Sequence, residues 1–157
     1  ALRVFSIRTL VELKETEENA YWQVARKYEL RKKLPNNYCI QSELCGPGVR
    51  KNRLGLKELN MFVFNVYDIQ QDKYLDYEDF IKFCIDNGLR HVPIEKIGLF
   101  DYTLEEWLKR AEGTYEGTYV QKEGIVIRPI KEMYSKALKG RLSFKVINNN
   151  YLLKEDN

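Results

Sequence analysis

Between Glu43 and Arg53 the stretch "ELCGPGVRKNR" sets one acid, a Gly46-Pro47-Gly48 bend and three bases, Arg50, Lys51 and Arg53. These residue types suit an anion. Glycine allows a bend that a Cβ would resist and lets backbone N–H groups come near a negative group. The bases add neutralising charge. A basic surface loop is the other reading of each base taken singly. Two later stretches carry further charges. Glu123 and Gly124 open "EGIVIRP", which contains Arg128, and Lys145 sits in "RLSFKVI". Strand alternation there sets Leu142, Phe144 and Val146 against Ser143 and Lys145, so Lys145 can face a cleft while its neighbours fill a core. Read alone, Glu123-Gly124 is a turn and Glu43 an exposed strand carboxylate.

Metal chemistry is suggested by "DIQQDKYLDYED", residues 68–79. Asp68, Gln70, Asp72, Tyr74 (by its carbonyl), Asp76 and Asp79 have the spacing of a calcium loop. The sixth position, where that loop needs glycine, is Lys73, and the twelfth is an aspartate in place of the bidentate glutamate. The preceding "FVFNVY" reads as a strand where the motif needs a helix. A hairpin or turn leading into a helix capped by Asp76 is the expectation. The single histidine, His91, and Cys39, Cys45 and Cys84, none in a C-x-x-C pair, do not make a zinc site and read as reduced intracellular thiols.

The elements that must position these residues mix without a βαβ rhythm, which points to α+β with largely antiparallel sheets. Residues 2–6 suggest a short strand. The next run places Tyr21, Val24, Ala25 and Tyr28 on one helical face, stopped by Pro35. "YCIQSEL" alternates, with Tyr38, Ile40 and Leu44 pointing one way and Cys39, Gln41 and Glu43 the other. "LNMFVFNVYDI" is apolar on both faces, as in a central strand. Helices follow over "DYEDFIKFCIDNG", stopped by Gly88, and "LEEWLKRAEG", behind a Thr103/Glu106 capping box. "EGIVIRP" and "RLSFKVI" are strands separated by a helical or looped "IKEMYSKALKG". A length of 157 residues is enough for one domain with a real core. No apolar run approaches a membrane span. An excess of 26 Lys and Arg over 23 Asp and Glu permits a nucleic-acid partner without arguing for one.

In this order, "SELCGPGVRKN", "FVFNVYDI", "EGIVIRP" and "RLSFKVINNNYL" resemble the covalent nucleotidyltransferase superfamily and, within it, the ATP-dependent RNA ligases, with the Deinococcus-type branch nearest in pattern. The resemblance begins near "IRTLVELKETEENAYWQVARKY" and covers nearly the whole chain. It implies a nucleotidyltransferase (ATP-grasp-like) domain over 1–157, antiparallel sheets flanked by helices. It also implies ATP and Mg2+ or Mn2+ as cofactors and RNA ends as partners. The family's reaction forms a lysyl-AMP, moves the adenylate to an RNA 5′-phosphate, and lets an RNA 3′-hydroxyl displace AMP. Residue by residue, Glu43 matches the acid that bonds the nucleotide ribose, after Ser42 in place of the family glycine. Tyr67 falls where an aromatic stacks on the purine, core packing being its alternative. Glu123 matches the metal-binding carboxylate and Lys145 the lysine on the α-phosphate; the position of a second lysine is Ile147. Arg128 contacts phosphate or ends its strand. Arg8 stands for the arginine of a Ser-Arg motif at the RNA 3′ end, although Ile7 separates it from Ser6; a surface arginine is the alternative. Arg50, Lys51 and Arg53 would neutralise RNA phosphates without reading bases.

The family nucleophile lies in Lys-x-Asp-Gly, and the 157 residues contain no Asp-Gly dipeptide. The expectation is therefore the C-terminal portion of the domain, lacking its motif-I segment, inactive alone, located in the cytoplasm or nucleus, and prone to self-association where that segment would pack. The absent initiator methionine fits a fragment. Two rival readings are a non-catalytic nucleotide- or RNA-binding module and, less favoured, a calcium-binding interaction domain.

Overall fold

The β-rich runs beginning at Tyr38 and Asn60 pair with each other, antiparallel, in the computed structural model, which describes residues 2–6 and 11–155. The chain divides into two units, Ala1–Pro93 and Ile94–Asn157. In the first, strands β1 (Phe5–Ser6) and β2 (Val11–Glu12) form a small ladder. Helices α1 (Ala20–Lys27) and α2 (Leu30–Lys33) follow. A three-stranded sheet in the order β3 (Tyr38–Cys45), β4 (Asn60–Asp68), β5 (Lys73–Tyr74) carries α3 (Tyr77–Asp86). Among the described residues, the ladders between strands are antiparallel, and a single parallel bridge joins Val63 of β4 to His91. The fold class is thus the α+β one that the sequence leads to expect.

The first unit's core is a sandwich of α1, α3 and one face of the sheet. Trp22, Val24 and Ala25 meet Leu44, Met61, Val63 and Val66, with Phe80, Phe83 and Cys84 packed beside them. Each large buried apolar side chain contributes about 1.5–3 kcal/mol relative to exposure. The one helix expected up to Pro35 is broken into α1 and α2 at Glu29, whose φ of 52° is left-handed, and the phase of α1 also differs. Trp22, not Tyr21, is the inward aromatic, and Tyr21 is half exposed. The indole explains the choice: it buries more area than a phenol and donates its N–H to Leu13 O at 2.8 Å. Burial raises the Cys84 thiol to a pKa of about 11, which keeps it protonated and inert.

The calcium-like stretch folds as the expected turn. Asp68 is buried, and its Oδ1 accepts the N–H groups of Gln70 and Gln71 at 2.9 and 3.0 Å while its Oδ2 accepts the Gln71 amide. An aspartate spent this way organises a β-hairpin between β4 and β5. Asp76 stands at the N-cap position of α3 but makes no side-chain bond into the first turn. Gly88, at φ 61°, follows the C-cap Asn87.

The second unit opens with α4 (Leu104–Ala111), whose Thr103/Glu106 capping box forms as expected. Strands β6 (Gly124–Ile127) and β9 (Phe144–Ile147) pair, and α5 (Asn149–Glu155) follows. Between them lies a second ladder, β7 (Tyr134–Ser135) with β8 (Gly140–Arg141), where the sequence suggested a helix or loop. The run "IKEMYSKAL" has adequate helix propensity, but the Glu132–Arg141 ion pair and the Leu142 N–H to Met133 O bond close a hairpin that local propensity does not encode. On β9, Phe144 stacks with Phe100 at 6.1 Å, and Phe100 with Trp107 of α4 at 5.4 Å.

Candidate functional site

Glu43 and Tyr67 share one face of the three-stranded sheet, and a bulge puts them there. Along β3, Cys39, Gln41 and Glu43 alternate away from the core, opposite Tyr67, Asn65 and Phe62. Tyr67 and Phe62 are five residues apart, an odd spacing that a regular strand sends to opposite faces. The register shifts between Gln41 and Ser42, leaving Phe64 as an extra residue in β4 that restores the phase. Val63 and Val66 are both buried for the same reason. The four-residue separation of Cys39 from Glu43 leaves ~13 Å of strand between the positions of Tyr67 and Glu43.

This face is organised by side-chain bonds. Asn65 donates to Gln41 Oε1 at 2.6 Å, and Gln41 donates to the Tyr74 hydroxyl at 3.4 Å. The Tyr74 ring meets the Tyr67 ring edge to face at 5.0 Å, and the Tyr67 hydroxyl donates to Asp72. The hydrogen bond to Asp72, with lesser help from desolvation, lifts the Tyr67 phenol above the ordinary tyrosine range. Removing the carboxylate in Asp72→Asn is expected to bring Tyr67 ionisation down toward that range. Ultraviolet difference titration at alkaline pH, with Tyr67→Phe to assign the signal, measures it; an unmoved transition would mean that Asp72 does not hold the ring.

At the far end of β3, Glu43 lies 3.5 Å from Arg50, both side chains largely exposed. The bend between them needs its glycine. Gly46 has φ 135°, and a Cβ there would stand 2.6 Å from Glu58 O. Arg50, Lys51 and Asn52 then all have positive φ, at 39°, 58° and 47°. Such a run costs of order 1 kcal/mol per residue. The Asn52 amide offsets part of it by donating to Leu56 O at 2.8 Å and accepting from Leu56 N at 3.0 Å. The loop thus presents Arg50 and Lys51 from a braced turn, with Arg53 next in right-handed backbone. Arg8 lies outside the described residues.

In the second unit, Glu123 and Lys145 come within 3.8 Å. Alternation alone would not bring them together, because Lys145 pairs with Val126 and Glu123 is three residues from it. Gly124 makes the turn. Its φ of 144° rotates the chain, and β6 and β9 approach so closely that a Cβ on it would fall 2.1 Å from Val146 O. The Glu123 carboxylate is held from its other oxygen by the Tyr151 hydroxyl at 3.2 Å. Asn148, fully buried, accepts from Asn150 N, donates to Lys122 O at 2.8 Å and Gln121 at 3.2 Å, and sends its own N–H to Glu123 O at 3.0 Å. Phe144 and Lys145 point to opposite sides as alternation requires, but Phe144 fills no core: it is 42% exposed, its ring stacked on Phe100, which is itself exposed, while Lys145 pairs with Glu123. Arg128 Nε donates to Ser143 Oγ at 3.4 Å, bridging the ends of β6 and β9.

Sequence reasoning missed Asn65, Asn148 and Tyr151, and met Tyr74 only as a carbonyl of the calcium-like loop, not as the ring beside Tyr67. Gln41 was readable from alternation with Glu43. The "NNNYL" after β9 carried the one hint of a capping asparagine. Among the described residues, no three His, Cys, Asp or Glu side chains gather as a metal cluster. A divalent ion of the magnesium type does not need one, since it keeps water ligands and takes one or two carboxylates together with substrate phosphates. Glu123, partly exposed beside an ammonium that attracts phosphate, fits that limited role.

A family model described as RNA ligase matches residues 2–147. No curated protein matches the sequence. Solved structures do. Naegleria gruberi RNA ligase with PPi is 32% identical, at TM-score 0.78 over 93% of this chain and 44% of that one. A lysine-to-alanine variant of the same ligase with ATP and Mn gives the same figures. A glutamate-to-alanine variant with AMP and Mn is 31% identical at TM-score 0.78. The chain therefore spans less than half the length of these solved chains.

Proposed function

This chain belongs to the RNA ligase family, and from that premise we propose that it forms the part of an ATP-dependent RNA ligase that grips the adenylate and its phosphates, downstream of the nucleophilic lysine and nearest to the Deinococcus-type branch. The observation that carries the reading is the meeting of Glu123 and Lys145 across the glycine-dependent contact of β6 with β9. In family order, they are the metal-binding acid and the phosphate-binding lysine.

The chemistry needs charge more than covalent help. Lys145 meets the α-phosphate oxygens and steadies the charge that grows on them as the adenylate moves. Its ion pair with Glu123 is half exposed and so worth little, which leaves both groups able to turn to a ligand at small cost. Glu123 would hold a divalent cation, which when bound with nucleotide neutralises phosphate oxygens. Tyr67 offers a ring face to the purine and Glu43 a carboxylate to the ribose. Arg50, Lys51 and Arg53 meet RNA phosphates, and Arg128 and Arg8 complete the set. The Lys-x-Asp-Gly nucleophile is supplied from outside these 157 residues.

The test joins the chain to a segment bearing Lys-x-Asp-Gly and adds ATP, Mn2+ and 5′-phosphorylated RNA. The expected results are a joined RNA product on a denaturing gel and, for residues 1–157 alone, no covalent AMP. An AMP adduct on the isolated chain would refute an external nucleophile. A joined protein that takes up AMP yet seals no RNA would refute RNA ligation.

A further inference from the structure

The β7–β8 hairpin takes no part in the site above, yet its charge is unlike that of the rest of the chain. From Lys131 to Arg141 four Lys or Arg stand against one acid, Glu132, whereas bases and acids balance in the remaining sequence. That one acid is engaged within the fold. Glu132 receives the Arg141 guanidinium in a two-pronged pair, Arg141 Nε to Oε2 at 2.6 Å, with both side chains mostly covered. The pair staples the hairpin, the Leu138 N–H to Ser135 Oγ bond at 3.2 Å tightens its turn, and Lys139 turns it with φ 50°.

Outside the staple, the tip displays Lys136 and Lys139, both exposed, next to Tyr134 at 70% and Leu138 at 50% exposure. An aromatic ring left bare on a braced strand gains nothing for the fold, and two ammonium groups on the same short hairpin disfavour a positively charged or purely apolar occupant. A polyanion carrying flat apolar faces matches both features. Duplex RNA hides those faces in its stack, whereas a single strand offers them.

We propose that this hairpin is a contact for single-stranded RNA, with phosphates met by Lys136 and Lys139 and one unstacked base laid on the Tyr134 ring. The inference rests on the RNA ligase reading for the choice of RNA among polyanions, and on the hairpin for everything else. It adds a substrate preference, an end with unpaired nucleotides beside it.

Fluorescence anisotropy of the chain with a short labelled RNA, as a single strand and as a duplex, tests it. Tyr134→Ala is expected to weaken single-strand binding about tenfold, to leave duplex binding unchanged, and to be rescued by Tyr134→Trp. The double variant Lys136→Ala/Lys139→Ala is expected to lower the slope of log affinity against log salt by about 1.4, roughly 0.7 for each phosphate contact. Circular dichroism confirms that the tip variants fold. The inference is overturned if Tyr134→Ala leaves single-strand affinity untouched or weakens both RNAs equally, or if the double variant keeps the wild-type slope. It is overturned too if the wild-type chain binds heparin as tightly as RNA and Tyr134→Ala weakens neither. None of these outcomes bears on AMP uptake and sealing, which judge the family reading separately.

Discussion

Lys145→Ala is expected to slow AMP transfer at least a hundredfold in a ligation-competent protein containing this chain, while leaving the fold intact. Removing one well-placed group that stabilises developing charge costs about two to three powers of ten in other enzymes. Here the β9 strand, Phe144–Ile147, holds no second lysine to substitute for it. Stability should barely change. The Lys145 side chain is more than half exposed, and its contact with Glu123 is a solvent-screened pair. Lys145→Arg should recover only part of the rate, since a planar guanidinium cannot place a point charge where an ammonium sat. Single-turnover kinetics with a melting curve on the same sample decide the matter. A rate within threefold of wild type would remove Lys145 from the chemistry, and a loss of rate that tracks unfolding would make its role structural.

Gly124→Ala should be the most damaging methyl group in the second unit. The new Cβ would meet Val146 O at 2.1 Å and Ile147 Cα at 3.0 Å, both backbone, so no rotamer change can relieve it. The positive φ adds its own penalty for an L residue. Together these should cost about 3 kcal/mol or more, with β9 pushed off β6 and Glu123 displaced from Lys145. Gly117→Ala is the fitting control, for Gly117 also has positive φ but nothing within 4 Å of the added atom. It should cost about 1 kcal/mol. Thermal unfolding and amide exchange of residues 124–127 and 144–147 compare the two. If both variants melt alike, the close approach of β6 and β9 is not real.

The same positions show where sequence reading ends. The capping box at Thr103 and Glu106, the turn built on Asp68, and the opposition of Lys145 to Phe144 were legible because each depends on residues within a turn or two of one another. Such features are local, and hydrogen-bonding chemistry and alternation determine them before any distant partner arrives. Membership of the RNA ligase family was legible for a different reason, through a linear pattern of residue types.

What the linear pattern left open was phase and pairing. That Tyr67 joins Glu43 on one sheet face follows from a single extra residue, Phe64, and a bulge is a compromise between two strands that neither strand states by itself. That Glu123 reaches Lys145 follows from Gly124 seen against β9, and Tyr151 and Asn148 brace it only once α5 folds back. The inward turn of Trp22 and the β7–β8 hairpin were settled likewise, by the Leu13 carbonyl and by the Glu132–Arg141 staple. The sequence by itself determined which residue types are present, in which order, and on which local elements. The tertiary structure decided which of them face each other, because register and face come from contacts between residues far apart in the chain, whose energies exceed local preference.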